Sequence, residues 1–259
     1  MSSTPTLPRD STPPNGPATT PAARAVAMTK VYGRSDTQVT ALDSVDLDVG
    51  TGSFVAIMGP SGSGKSTLMH CLAGLDRPTS GRVFLGDVEL AALSDRKLTL
   101  LRRERIGFVF QSFNLMPTLN AYENITLPSV LAGRRPDADW LDTVIDVVGL
   151  GDRLGHRPSE LSGGQQQRVA VARALANEPE VIFADEPTGN LDQRSGDDVL
   201  GFLRHAVDRF GATIVMVTHD ARAAAFADRV TFLVDGRVID HLDDPTAPVV
   251  LDRLKTLEV

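Results

Sequence analysis

The stretch GPSGSGKST, Gly59 to Thr67, limits what this chain can fold into more than any other. It follows FVAIM (54–58), a continuous apolar run of the kind that forms a strand buried on both faces, and it opens the helical pattern KSTLMHCLAG. Strand, glycine-rich turn and helix in that order make a phosphate-binding loop in its required setting. The glycines let backbone N–H groups cradle phosphate, Lys65 reaches the β and γ phosphates, and Ser66 offers its hydroxyl to Mg²⁺. The whole run (Gly59, Pro60, Ser61, Gly62, Ser63, Gly64, Lys65, Ser66, Thr67) is therefore the expected nucleotide cradle. Chance would place the pattern in ~1% of chains this long.

Later apolar runs repeat the buried-strand type: IGFVF (106–110), VIFAD (181–185), TIVMV (213–217) and VTFLV (230–234). Helical patterns separate most of them, so a parallel sheet with right-handed crossovers is expected, with its ligand beyond the strands' carboxyl ends. Upstream, AVAMTKVY (25–32) and the alternating VDLDV (45–49) read as half-buried antiparallel strands. From Phe113 to about Asn177 the strand signal disappears and helical stretches such as ADWLDTVIDVVGL take over. The expected fold is α/β: a P-loop NTPase core with a mostly parallel sheet, an N-terminal antiparallel β subdomain, and an inserted α-helical subdomain at about 113–177. One domain over 25–259 suits the length, and no internal repeat suggests a tandem pair. Residues 1–24 are rich in Pro, Thr and Ser, and are expected to be a disordered tail.

A phosphate loop that does chemistry needs a second Mg²⁺ support and a group to orient water. VIFADE supplies both. Asp185, at the end of an apolar strand, is costly there unless it holds an ion, and is assigned to Mg²⁺ through water. Glu186 is the general base candidate, with a helix N-cap as the bland alternative. Gln111 and His219 follow two other strands on the same sheet edge, where Gln111 would sense Mg²⁺ and water and His219 would touch the γ phosphate. Tyr32 could stack on adenine, although ordinary packing is the simpler reading of a lone tyrosine. Ser162, Gly163 and Gly164 open the apolar-periodic helix GGQQQRVAVARAL, which makes a second anion site.

Composition removes other classes. A formal net charge of -7 and pI near 5.2 give no pull toward nucleic acid, and Arg102, Arg103 and Arg105 read as a solvated helix face. The one cysteine, Cys71, allows no intrachain disulfide and reads as a small buried hydrophobe in a reducing compartment. No apolar run approaches the roughly 20 residues of a membrane helix, and the start of the chain lacks the order of a signal peptide, so the chain is expected to be neither membrane-spanning nor secreted. The glycosylation triplet Asn124, Ile125, Thr126 is then a coincidence.

Taken together, the P-loop, Gln111, LSGGQ (161–165), ADEP (184–187), NLD (190–192) and THD (218–220) resemble the nucleotide-binding subunit of an ABC transporter over about residues 25–240. LSGGQ is the most specific of these. MGPSGSGKSTL, GLDRPTSG, IGFVFQSFNLMPTLNAYENI and ADEPTGNLD are similar to the subgroup of macrolide-efflux, lipoprotein-releasing and cell-division ATPases. TGSF (51–54), where Gly-Glu-Phe is commoner, and Cys71 depart from the pattern without touching a catalytic position.

That resemblance implies an ATPase that binds ATP and Mg²⁺ and works as a head-to-tail homodimer. Ser162, Gly163, Gly164 and Gln165 of one copy would complete the ATP site on Lys65 of the other, and the tyrosine at 32 would meet adenine. Catalysis would fall to Glu186, His219 and Gln111, and metal binding to Ser66, Gln111 and Asp185. Asp192 would carry communication between the two sites. The partner implied is a separate integral membrane permease with a large external domain, engaged near QSFNLM (111–116) through Phe113, Leu115 and Met116, unless those three pack the helical subdomain. The subunit would be cytoplasmic, held at the inner face of the plasma membrane through that permease, with cargo specificity in the permease. The alternative is a soluble ABC-type ATPase acting on nucleic acid or ribosomes; those resemble tandem domains with basic surfaces, unlike this single acidic set of motifs.

Overall fold

A computed structural model of the protein describes residues 20–34 and 37–257. Most of the expected tail, residues 1–19, lies outside the described residues. The rest of it does not fit the expectation, because β1 (Ala23–Tyr32) is already a strand two residues before its end, with Ala23, Ala25 and Met28 buried.

β1 pairs antiparallel with β2 (Val39–Val49), which is longer than VDLDV alone and alternates buried Val45, Leu47 and Val49 with exposed partners. β3 (Phe54–Met58) is buried at every position and feeds the P-loop and α1 (Lys65–Leu72). β4 (Ser80–Leu85) and β5 (Val88–Glu89), absent from the sequence reading, complete a four-stranded sheet of order β2-β1-β4-β5. Next, α2 (Asp95–Arg105), capped by Ser94, leads into β6 (Ile106–Phe110). Three helices separate β6 from β7 (Val181–Asp185): α3 (Ala121–Leu131), α4 (Ala138–Val148) and α5 (Gly163–Leu175). The chain ends with α6 (Gln193–Phe210), β8 (Ile214–Val217), α7 (Ala221–Ala224), β9 (Arg229–Val234), β10 (Arg237–Asp243) and α8 (Ala247–Leu257).

The second sheet has the order β10-β9-β3-β8-β7-β6, with β6, β7, β8, β3 and β9 parallel and only β10 antiparallel. Strand period divides its side chains between two cores. Phe54, Ala56 and Met58 join the residues of α3 to α8 on one face, while Val55 and Ile57 join α1, α2 and the antiparallel sheet on the other. Each large side chain so buried contributes about 1.5–3 kcal/mol. The α/β class, the parallel core and the antiparallel N-terminal sheet agree with the sequence reading.

One reading changes, and one motif gains a structural role. Arg102 donates to the Gly74 carbonyl and Arg105 pairs with Glu180, so these are anchors of α2 rather than a solvated face. Asn124 of the glycosylation triplet is fully buried; its amide donates to the carbonyls of Met116, Leu119 and Asn120, and its oxygen accepts from Met116 N at 2.7 Å. Cys71 is buried as expected, and burial pushes its thiol up to about 11. The single tryptophan, Trp140, donates from its ring nitrogen to the Leu175 carbonyl at 3.0 Å and meets Phe210 edge-on at 4.8 Å.

Candidate functional site

Register brings the pieces to one edge. Ile57 and Asp185 both pair with Val217, and Phe110 pairs with Asp185. The P-loop, His219, Glu186 and Gln111 therefore leave neighbouring parallel strands at the same carboxyl end.

Close packing explains two loop glycines. A β-carbon on Gly59 (φ 154°) would stand 1.9 Å from the Leu233 carbonyl oxygen, and one on Gly64 (φ 102°) 2.3 Å from that of Ala41. Gly62 (φ 79°) has nothing within 4 Å of its β position, so there it is the left-handed backbone and not crowding that calls for glycine. Lys65 Nζ donates to the Gly59 and Pro60 carbonyls at 2.9 and 2.7 Å, which curls the ammonium over the loop. Burial lowers its pKa, and Glu186 and Asp185 act the other way. Ser66 is exposed next to it, and Ser63, buried, keeps a hydroxyl with no partner.

At the end of β7, burial raises the Asp185 carboxyl; His70 and Lys65 oppose that and Glu186 adds to it. Glu186 sits in the left-handed region (φ 47°), its N–H bonded to the Val217 carbonyl at 2.9 Å. That twist turns its side chain toward His219, whose Nδ1 lies 2.9 Å from Oε1. His219 is 75% exposed and Glu186 20%, so the pair presents a ring to solvent with the carboxylate behind it. Among the described residues no three His, Cys, Asp or Glu side chains converge as a metal site. The donors that fit a hard, oxygen-seeking cation are the Ser66 hydroxyl and the Asp185 carboxyl, a set that leaves most positions to water and phosphate.

Gln111 faces elsewhere. Its Nε2 donates to Asn190 Oδ1 at 3.3 Å, Asn190 Nδ2 donates to its carbonyl at 3.0 Å, and the side chain lies over Gly189, whose β position is 2.7 Å from Nε2. Tyr32 is 41% exposed. Its hydroxyl donates to Asp76 Oδ2 at 2.7 Å, Lys30 Nζ lies 4.7 Å from its ring centre, and Lys30 donates to the other Asp76 oxygen at 2.6 Å. Burial pushes Asp76 up, but the bonds from Lys30, Tyr32 and Arg77 N outweigh it and hold the carboxyl below its usual range. Lys30 and Asp76 carry no motif of their own; only the spacing of Lys30 two residues before Tyr32, on the same strand face, could have pointed to them.

Ser162 caps α5 in a reciprocal box with Gln165, at 3.2 Å (Gln165 N to Ser162 Oγ) and 2.9 Å (Ser162 N to Gln165 Oε1). The neighbours of the two glycines are Leu191 and Phe113 for Gly163, and Ser195 for Gly164. Asp192 caps α6, accepting from Ser195 N at 3.0 Å and Ser195 Oγ at 2.7 Å, bonds that lower its pKa. A groove of about 360 Å³ opens on β6 at Phe108 and Phe110, lined also by α2, α3 and α5 through Arg103, Leu127, Leu131 and Ala174 among others. Of the three anchors expected in QSFNLM none lines it: Leu115 packs into the main core, the Phe113 ring lies toward Gly163, and Met116 is 48% exposed.

Comparison with known proteins gives concordant results. The family model described as ABC transporter matches residues 42–189. The chain is 48% identical over 235 residues to the macrolide export ATP-binding/permease protein MacB of Rhodospirillum rubrum, covering 90% of this chain and 36% of that protein. It therefore spans about a third of the length of the MacB relatives it matches. An uncharacterized ABC transporter ATP-binding protein of Thermotoga maritima is 48% identical over 218 residues, covering 82% of this chain and 92% of that protein. Among solved structures, the ATP-binding cassette MJ0796, a dimer in a post-hydrolysis state bound to ADP and Pi, superposes with a TM-score of 0.78 at 40% identity over 86% of this chain and 99% of its own.

Proposed function

The chain belongs to the ABC transporter family as an ATP-binding domain, and on that footing we propose that it binds and hydrolyses ATP as the nucleotide-binding subunit of a membrane complex. The observation that carries the reading is the Glu186–His219 pair on the same sheet edge as the P-loop.

In this reading the P-loop N–H groups and Lys65 hold the phosphates, and the exposed Tyr32 ring takes adenine. Ser66 and Asp185 hold Mg²⁺, with Gln111 joining them when it turns from Asn190; the ion supplies charge neutralisation on the phosphates. Glu186 accepts a proton from the attacking water as its oxygen bonds to the γ phosphorus and the bond to ADP breaks. His219 steadies Glu186 through Nδ1 and offers Nε2 to the γ phosphate.

Gly163 and Gly164 have their side-chain neighbours in Phe113, Leu191 and Ser195, and they stand in the first turn of α5, where backbone N–H groups lack helical acceptors, behind the Ser162 cap. They serve the ATP of a second copy packed head to tail; pairing of two copies, though not its orientation, is supported by the dimeric relative. Association then depends on nucleotide, and phosphate release opens the dimer. Asp192, at the head of α6, passes the state of Glu186 to the Ser162 site.

Helices α3 to α5, within 113–177, act as a helical subdomain, and the apolar groove between it and β6 receives a helix of an integral membrane permease. No described helix is long and apolar enough to cross a membrane. In this reading the permease holds the subunit at the inner face of the plasma membrane. The MacB relatives name both an ATP-binding part and a permease, which supports this assignment.

Light scattering on Glu186→Gln with and without Mg-ATP tests the reading. ATP should shift monomer to dimer, and adding Ser162→Arg should abolish the shift. A Glu186→Gln protein that binds ATP yet stays monomeric would sink the head-to-tail assignment.

A further inference from the structure

Two consecutive non-glycine residues after β6, Phe113 (φ 59°) and Asn114 (φ 49°), adopt left-handed backbone, which is uncommon for a bulky residue such as Phe. One side chain holds both. The guanidinium of Arg173 on α5 donates from Nη1 to the Asn114 carbonyl at 2.6 Å and from Nη2 to the Phe113 carbonyl at 2.8 Å. The fork geometry of arginine suits two adjacent acceptors, where a lysine would satisfy one.

The same helix holds the chain on the other side of Gln111. Gln167, fully buried, donates from Nε2 to the Phe110 carbonyl at 3.3 Å and to the Pro187 carbonyl just past Glu186. Between the two clamps only Gln111 and Ser112 are free of α5. The left-handed turn also directs the Phe113 ring to the head of α5: a β-carbon built on Gly163 would stand 3.8 Å from Phe113 Cζ. Arg173 lies ~15 Å along the helix from Gly163 and lines the groove beside β6 together with Asn114.

We propose that Arg173 and Phe113 are positioning residues that tie the groove to the Ser162–Gly164 site: the Arg173 fork keeps the 113–114 turn left-handed, and the turn keeps the Phe113 ring against Gly163. A permease helix seated in the groove meets Arg173 and Asn114 directly, and so bears on the two side chains that set the turn. The consequence for ATP rests on the reading that Ser162–Gly164 completes a partner's nucleotide site.

The test compares Arg173→Lys, Phe113→Ala and Arg173→Lys/Asn114→Gly, all in the Glu186→Gln background. Nucleotide affinity of the monomer should stay within about twofold of the parent, because the P-loop is untouched, while Mg-ATP-dependent dimerisation weakens about tenfold in the first two variants. Asn114→Gly accepts left-handed backbone without the fork, so the double variant should regain most of the loss, which a merely loosened core would not. Hydrogen exchange on the monomer gives a readout independent of dimerisation: Arg173→Lys should speed exchange in 111–116 and 162–168 together. Unchanged dimerisation, or faster exchange confined to 111–116, overturns the proposal. A parent that fails to dimerise with Mg-ATP counts against the head-to-tail reading alone, and hydrogen exchange then decides this one.

Discussion

At the scale of single residues, the two glycines of the second anion site answer to different constraints. A β-carbon on Gly164 would stand 2.9 Å from Ser195 Oγ and 3.1 Å from its Cβ, whereas one on Gly163 meets nothing closer than 3.6 Å. Gly164→Ala should therefore cost about 1–3 kcal/mol of stability and lower the melting temperature of the free monomer, and Ser195→Gly should recover at least half of it. Gly163→Ala should leave the monomer within about 0.5 kcal/mol of the parent. Denaturant titration of the four proteins decides; equal costs at both glycines would refute the assignment. Such packing was not legible in LSGGQ, where both glycines read alike as phosphate contacts. Lys65 was legible from the glycine-rich motif between an apolar strand and a helix, and Asp185, Glu186 and His219 because each sits at or just past the end of an apolar strand, where polar groups stand out. Lys30, Asp76 and Arg173 were not, since their partners lie 46, 44 and 60 or 59 residues away along the chain.

At the scale of elements, strands with continuous apolar runs were placed within a residue of their sequence bounds, as FVAIM, IGFVF and VIFAD show. β4 and β10 escaped because SGRVFL opens on three exposed residues and RVIDHLD never buries one fully. The loop before α3 depends on a side chain that sequence marks only as an acceptor triplet. Asn124 satisfies the backbone at Met116, Leu119 and Asn120 from a fully buried position. Asn124→Ala should cost about 3 kcal/mol by stranding those groups, whereas Asn120→Ala, which removes an exposed helix cap, should cost about 1 kcal/mol. Chemical denaturation of both variants checks the order, and an Asn120 effect larger than that of Asn124 would contradict it.

At the scale of the whole molecule, the nucleotide site joins the two cores, because β3 contributes alternate residues to each and the P-loop grows from its end. Ligand on that loop should therefore stabilise the entire fold. Mg-ATP at about one hundred times its Kd should add ~2.7 kcal/mol and raise the melting temperature of the Glu186→Gln protein by about 5–10 °C. Calorimetry showing no shift would argue against nucleotide binding on the P-loop. The two-core arrangement also has an optical corollary. With one indole in the chain, bonded to the last carbonyl of α5 and edge-on to the last ring of α6, every photon of tryptophan emission comes from the seam between those helices. The protein carries its own unlabelled reporter of any displacement of α5, readable in real time while nucleotide turns over.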